Sequence, residues 1–168
     1  MAILISPMIV PLIITAAGMF FFYARINLVY SFTGIILAHV ALATPFVVIT
    51  VTATLVGFDM NMVKASQSLG AKPLRTFFKI IMPLILPGVI SGALFAFITS
   101  FDEVVIVMFM ASLDQLTIPK QMWAGIRQEI SPVILCMATC LVVLSIFLLT
   151  TVELLRRRSE KLRGITAR

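Results

Sequence analysis

A chain of 168 residues that is 61% hydrophobic and 12% charged, with mean hydropathy +1.13, has too little polar surface to cover a water-soluble globule. Soluble domains carry roughly 25% charged residues. The net charge of +6 is gathered mainly in Lys64–Lys79 and Arg156–Arg168, with no aromatic residues interleaved in the C-terminal run, so it reads as a topology signal and not as a nucleic-acid surface.

The apolar runs are continuous and not alternating, which predicts helices that satisfy their own backbone groups in lipid. The first extends from about Ala2 to Ala24 and is interrupted by Pro7 and Pro11. No basic segment precedes it, so no cleavable signal peptide is visible. The second extends from about Phe32 to Val56, with a kink expected at Pro45 and with Thr44, Thr50, Thr52 and Thr54 available to hydrogen-bond the nearby backbone. His39, the only histidine, lies in this span with no acid within helical reach. A neutral imidazole bonded to a neighbouring helix is expected there, in preference to a proton relay.

Next comes GFDMNMVKASQSLGAKPLRTFFKIIMPLILPG, residues 57–88, too patterned for a simple connector. Asp59 or Asn61 suits the N-cap of a short helix ending near Leu69, and Gly70 suits the left-handed position that closes it. Pro73 fits the first turn of a second helix. In that helix Leu74, Phe77, Phe78 and Ile81 follow amphipathic spacing, with Arg75 and Lys79 on another face. The expected product is a helix–Gly–helix unit with two open uses. It is a rigid basic knob for a soluble partner, or an interfacial helix resting on anionic lipid.

A third span is expected to start near Leu84 and to continue past Phe101, because VVIVMFMA prolongs the apolar run. Gly88, Gly92, Ala96 and Ser100 recur every four residues, a spacing that permits close helix packing against another span or a sister subunit. Asp102 and Glu103 then fall inside apolar sequence, where an acid costs roughly 2.5–3.5 kcal/mol on insertion scales. They are read either as a cation-attracting pair beside a translocation path, with Phe95, Phe97 or Phe101 adding cation–π contacts, or as hydrated groups at the outer boundary. Pro119 and Trp123 are placed in an outer loop, with Trp123 as an interfacial anchor. The last span runs from about Val133 to Leu155 and holds Cys136 and Cys140 as small hydrophobes.

The fold expected is therefore all-α, a polytopic bundle of four transmembrane helices over residues 1–155. It includes the loop 57–83 and is followed by a basic tail, 156–168. Loop 57–83 and the tail are separated by two spans and share the excess of Lys and Arg, so both are expected in the cytoplasm, as is the N-terminus.

The loop resembles the EAA loop of ABC importer permeases, with Ala65, Gly70, Ile81 and Pro83 in matching places. The similarity extends to AHVALATPFVVITVTATLVGFD upstream, and to LPGVISGALFAFITSFDE and LTIPKQMWAGIRQEISP downstream. In order, these blocks resemble the C-terminal two-thirds of spermidine/putrescine-type permeases, which implies that two of six spans precede this stretch in the family. Lys64 departs from the family's Glu and Ser66 from its second Ala. The resemblance implies that Lys64, Ala65, Ser66, Leu69, Gly70, Ala71, Phe77, Ile81 and Pro83 form the segment that couples to an ATP-binding subunit. It also implies that Phe101, Asp102, Glu103 and Trp123 lie near the translocation path.

No GxxxxGK[ST] phosphate loop, nucleophile triad or zinc motif is present. The expectation is a non-enzymatic permease of the bacterial inner membrane with no cofactor or metal of its own, ATP being bound by its partner. The other partners expected are a second permease subunit, a periplasmic substrate-binding protein and membrane lipid, with a polyamine as cargo. The alternatives are an ion- or proton-coupled carrier using His39, Asp102 and Glu103, or a truncated remnant that does not transport.

Overall fold

The computed structural model describes residues 2–128 and 131–162. Among them every regular element is helical, as the uninterrupted apolar runs require. The chain divides into two compact units, Met1–Pro119 and Lys120–Arg168.

The N-terminal run is two helices, α1 (Ala2–Ile9) and α2 (Leu12–Arg25), in place of one interrupted span. Pro7 is carried inside α1, so the break lies at Pro11, whose ψ of 132° is extended. Proline lacks the N–H needed to continue the ladder and disfavours helical geometry in the residue before it. The 14 residues of α2 reach about 21 Å, short of a hydrocarbon core of about 30 Å.

Ser31 opens α3 (Phe32–Val56), its hydroxyl accepting from the Gly34 N–H at 3.0 Å. The helix passes through Pro45 without a break. The threonine hydroxyls fold back on their own helix, Thr50 Oγ1 donating to the Phe46 carbonyl and Thr54 Oγ1 to the Thr50 carbonyl, each at 2.9 Å. Their polar atoms are thereby satisfied within α3, and the seam is left free for close packing.

The partner across that seam is α6 (Met82–Phe101), antiparallel to α3 and its most extensive neighbour. A Cβ at Gly88 would strike Thr54 Oγ1 and the Thr50 carbonyl, and one at Gly92 would strike Thr50 Oγ1 and Val47 Cα. The small residues thus face α3, and Phe46 stacks on Phe95 at 6.4 Å beside them. Helix–helix contact in lipid rests on such close approach, because apolar burial alone gives no advantage there.

Helix α6 ends at Phe101, where the Asp102 N–H closes on the Ile98 carbonyl at 3.1 Å. The expected continuation past Phe101 does not occur. Residues 102–104 leave the helix and the chain resumes as α7 (Val105–Met110). The cause is local, since the Glu103 carboxylate accepts the N–H groups of Ile106 and Val107 and so starts a new helix. Ile106, Val107 and Met110 are fully buried, and Ile106 and Met110 close a core with Ala16 of α2 and Ala38 and Leu42 of α3. Tyr30 fastens the far end of α7. Its N–H donates to the Met110 carbonyl at 2.9 Å and its own carbonyl accepts from Gln115 Nε2 at 3.3 Å. These two bonds hold Tyr30 at φ 61°, a left-handed conformation uncommon for a bulky residue.

Most of α8 (Ile118–Gln128) and all of α9 (Pro132–Leu162) belong to the second unit. Trp123 is therefore on a helix and not in a loop, and the Arg127 guanidinium lies 5.9 Å from its ring centroid, one turn on. Cys136 and Cys140 are exposed on α9. The helix continues to Leu162, and residues 163–168 of the expected tail, like Glu129 and Ile130, lie outside the described residues.

Three helical stretches among the described residues are long and apolar enough to cross a membrane, Phe32–Val56, Pro73–Phe101 and Pro132–Thr151.

Candidate functional site: two ends of one helical hairpin

The α3–α6 hairpin carries chemistry at both ends. At one end, α4 (Met60–Ser68) is capped by Asp59, whose carboxylate accepts from the Asn61 N–H at 2.9 Å. Leu69 ends the helix and Gly70 turns the chain at φ 78°, a conformation in which a Cβ is strained. Pro73 then starts α5 (Pro73–Thr76) at its first position. The helix–Gly–helix unit has the residues in the roles their local signals specify.

Two features of this unit have no local signal. The first is a buried hydrogen bond between Ser66 Oγ and Thr76 Oγ1 at 2.8 Å, which ties α4 to α5. Ser66 is 5% and Thr76 2% exposed. A buried hydroxyl without a partner costs about 1–3 kcal/mol, so each side chain supplies what the other needs. The second is that α5 is not a separate helix. It runs through a π-helical segment, Phe77–Ile81, straight into α6, making one stretch from Pro73 to Phe101. The helix expected to start near Leu84 therefore begins at Pro73, within the loop 57–83. Pro83 gives the reason for the π turn, because its ring excludes the carbonyl four residues back, that of Lys79, and the wider turn relieves the clash.

Around this frame Lys64, Ala65, Leu69 and Gly70 are exposed, as are Lys72, Arg75, Lys79 and Pro83. Leu69, Leu74 and Phe78 present apolar surface beside the charges. Ala71 and Ile81 are half-buried, and Phe77 sits at the boundary with its ring edge-on to Phe78 at 5.1 Å.

At the opposite end, a cleft of about 240 Å³ opens between α3, the C-terminus of α6 and Thr117–Pro119 at the start of α8, lined by His39, Phe97, Ser100, Phe101 and Glu103. From His39 to Val56 along α3 is about 25 Å, so the cleft and the helix–Gly–helix unit are well separated. Asp102 and Glu103, adjacent in sequence, part company here: Asp102 is exposed, whereas the Glu103 side chain is 1% exposed. The Glu103 carboxylate accepts from Ile106 N–H at 2.8 Å and Val107 N–H at 3.2 Å. Phe97 and Phe101 stack at 5.4 Å along the cleft wall.

His39 Nδ1 meets Ser100 Oγ at 2.7 Å, so the histidine is bonded to a neighbouring helix. An acid is nonetheless close, because Glu103 Oε2 lies 3.9 Å from His39 Nε2. The sequence places no acid within reach along His39's own helix, and the approach is made from a residue 64 positions later, brought in by hairpin closure. Of the small-residue stripe, Gly88 and Gly92 are buried against α3, Ala96 is half-buried and Ser100 faces the cleft. Trp123, in the second unit, is half exposed. No cluster of His, Cys, Asp and Glu that could hold a metal ion occurs among the described residues.

A model of the binding-protein-dependent transport system inner membrane component matches residues 1–161. The chain belongs to that family. It is 31% identical over 153 residues to the spermidine/putrescine transport system permease protein PotC of Haemophilus influenzae, covering 91% of this chain and 60% of that protein. Against PotC of Escherichia coli K12 the identity is 30% over 154 residues, with 92% and 58% covered. Against the putrescine transport system permease protein PotI of the same organism it is 31% over 140 residues, with 80% and 50% covered. The chain thus spans 60% or less of the length of these relatives. Membership and the apolar helices make it a multi-pass membrane protein, and its relatives are transport permeases.

Proposed function

We propose that this family member is the membrane-spanning permease subunit of an ABC importer, carrying a polyamine across the inner membrane while a partner subunit binds and hydrolyses ATP. The observation that carries the reading is the division of labour along one hairpin. A buried carboxylate and stacked rings line an open cleft at one end, and an exposed basic and apolar knob projects at the other. A cationic cargo matches the first, and a soluble ATPase matches the second. The relatives' names, spermidine/putrescine and putrescine transport system permease proteins, support a polyamine as cargo.

In this reading the helix–Gly–helix unit and the C-terminus face the cytoplasm, as the excess of Lys and Arg on those segments favours. The cleft then lies toward the outer face, where a substrate-binding protein delivers cargo. Phe101, Asp102 and Glu103 contribute to the path, with Trp123 as a further candidate. The permease supplies two conformations whose balance the ATPase shifts by binding them unequally. It needs no cofactor of its own, and a second permease subunit completes the pore.

The test is uptake of labelled spermidine into vesicles holding the chain with its candidate ATP-binding subunit, second permease and binding protein. ATP-dependent accumulation supports the proposal. Accumulation that follows an imposed proton gradient and ignores ATP overturns it in favour of a secondary carrier, the reading that the approach of His39 to Glu103 favours. A complete lack of uptake, with no association between the chain and the ATP-binding subunit, makes the chain a non-transporting remnant.

A further inference from the structure

The long helices α3 and α6 are apolar on all sides, whereas α8 is two-faced. At helical spacing Met122, Ile126 and Trp123 follow one another around one arc, and Arg127 and Lys120 border its Trp123 edge. Gln121 and Ala124 take the other side. Ile126 is 53% and Trp123 47% exposed, so the arc is open. Residues 118–128 contain no acid. An apolar face rimmed by cations, on a helix of low overall hydrophobicity, is the pattern of a segment that rests in a membrane surface.

The position of α8 brings a bilayer within reach. Three residues separate Gln128 from Pro132, a link of at most about 14 Å. At Pro132 a stretch long and apolar enough to cross a membrane begins, none of it buried within the chain. The two helices also touch, since a Cβ added to Gly125 would come within 2.7 Å of Ile134 Cδ1 in the first turn of α9. Around the helix Gly125 adjoins Met122, so the open arc starts at this contact and prolongs the lipid-facing surface of α9. The 11 residues of α8 extend about 16 Å, too short to cross a hydrocarbon core of about 30 Å. The border between lipid and water is the place left for it.

We propose that α8 is an in-plane helix seated in the membrane surface, with Met122, Ile126 and Trp123 among acyl chains and Arg127 on the phosphate of a phospholipid headgroup. The Arg127 guanidinium stands 5.9 Å from the Trp123 ring centroid, which holds the charge at the edge of the apolar arc. A guanidinium over an indole face keeps its planar N–H donors, and these suit a phosphate bidentately. Indole itself favours the headgroup level, where its ring is apolar and its N–H finds acceptors. The seat goes beyond the importer reading and stands whether or not the chain carries a polyamine. It competes with the translocation path for the one indole, and the two uses are separable.

Trp123 is the chain's sole tryptophan, so its fluorescence reports on α8 without ambiguity. The full chain is reconstituted in phosphatidylcholine vesicles, part of whose lipid is brominated either near the headgroup end or near the methyl end of the acyl chains. The expected emission is blue-shifted from that of tryptophan in water. It loses more intensity to the shallow bromines than to the deep ones, and little to iodide on either side of the membrane. Ile126→Asn, at an exposed position, should move the emission to the red and raise the loss to iodide. Arg127→Gln should narrow the preference for shallow bromines, and Arg127→Lys should retain it. An unchanged preference in Arg127→Gln overturns the phosphate contact. Loss to iodide alone puts the arc in water, and stronger loss to the deep bromines puts α8 in the hydrocarbon core. Protection from both quenchers puts the arc under protein, a second copy included. Emission that ignores brominated lipid and shifts with added putrescine assigns the indole to the path. Each of these four results overturns the seat.

Discussion

The two ends of the α3–α6 hairpin use polar residues in opposite ways. At the cleft end, Glu103, His39 and Ser100 are drawn out of solvent and satisfied by one another and by the backbone of α7, leaving one ring nitrogen over. At the other end Lys64, Lys72, Arg75 and Lys79 stay exposed, and the polar bond that is enclosed, Ser66 to Thr76, joins two neutral hydroxyls. Enclosing charge is tolerable where backbone N–H groups are aimed at it, and a helix start supplies them. The comparison teaches that the enclosed end is sensitive to single atoms, whereas the exposed end presents a surface.

The largest effect separating the two ends is expected at Glu103. Glu103→Ala removes the acceptor for two buried N–H groups and should lower stability by about 3 kcal/mol. The neighbouring Asp102→Ala, at an exposed position, should stay within about 0.5 kcal/mol. Chemical unfolding in detergent distinguishes them, and equal losses would erase the contrast. Between the ends, Gly92→Leu forces a side chain into Thr50 and Val47 and should cost about 2 kcal/mol by overpacking. Its thermal unfolding midpoint should fall.

At the exposed end Ser66→Ala should cost about 1–2 kcal/mol by stranding the Thr76 hydroxyl, and Ser66→Ala combined with Thr76→Val should recover most of that loss. A strictly additive double variant would show that the hydroxyl pair does not tie α4 to α5. The smallest stability effect is expected for Lys64→Glu, within about 0.5 kcal/mol. Under the proposed function, its consequence belongs in association with the candidate ATP-binding subunit, measured by co-purification. Unchanged association for Lys64→Glu and for a chain lacking residues 61–79 would remove the docking role from this end.

What was legible in the sequence follows the same division. Asp59, Gly70 and Pro73 carry local signals, a cap, a left-handed turn and a first-turn proline, and each residue is found in that role because its neighbours in sequence decide it. The break after Phe101 was hidden, because hydropathy sees VVIVMFMA as one run and is blind to a glutamate that bonds the N–H groups three and four residues ahead. The approach of His39 to Glu103 and the pairing of Ser66 with Thr76 were hidden for another reason. They arise when the hairpin closes and when the chain turns at Gly70, and no periodicity within one element records them. The split at Pro11 was half legible, since two prolines were visible and only one of them breaks the helix.

The stretch from Pro73 to Phe101 holds 29 residues, a rod of about 43 Å with the exposed basic surface at its root and the cleft at its tip. Because α5, the π segment and α6 form one continuous helix, any displacement imposed at the root would reach Ser100 as a tilt or a twist of the whole shaft. The five residues of the π segment are the one place where that shaft is wound differently. Rewinding them to regular α-helix would turn every residue beyond them, including those at the cleft, by a fixed angle relative to α3.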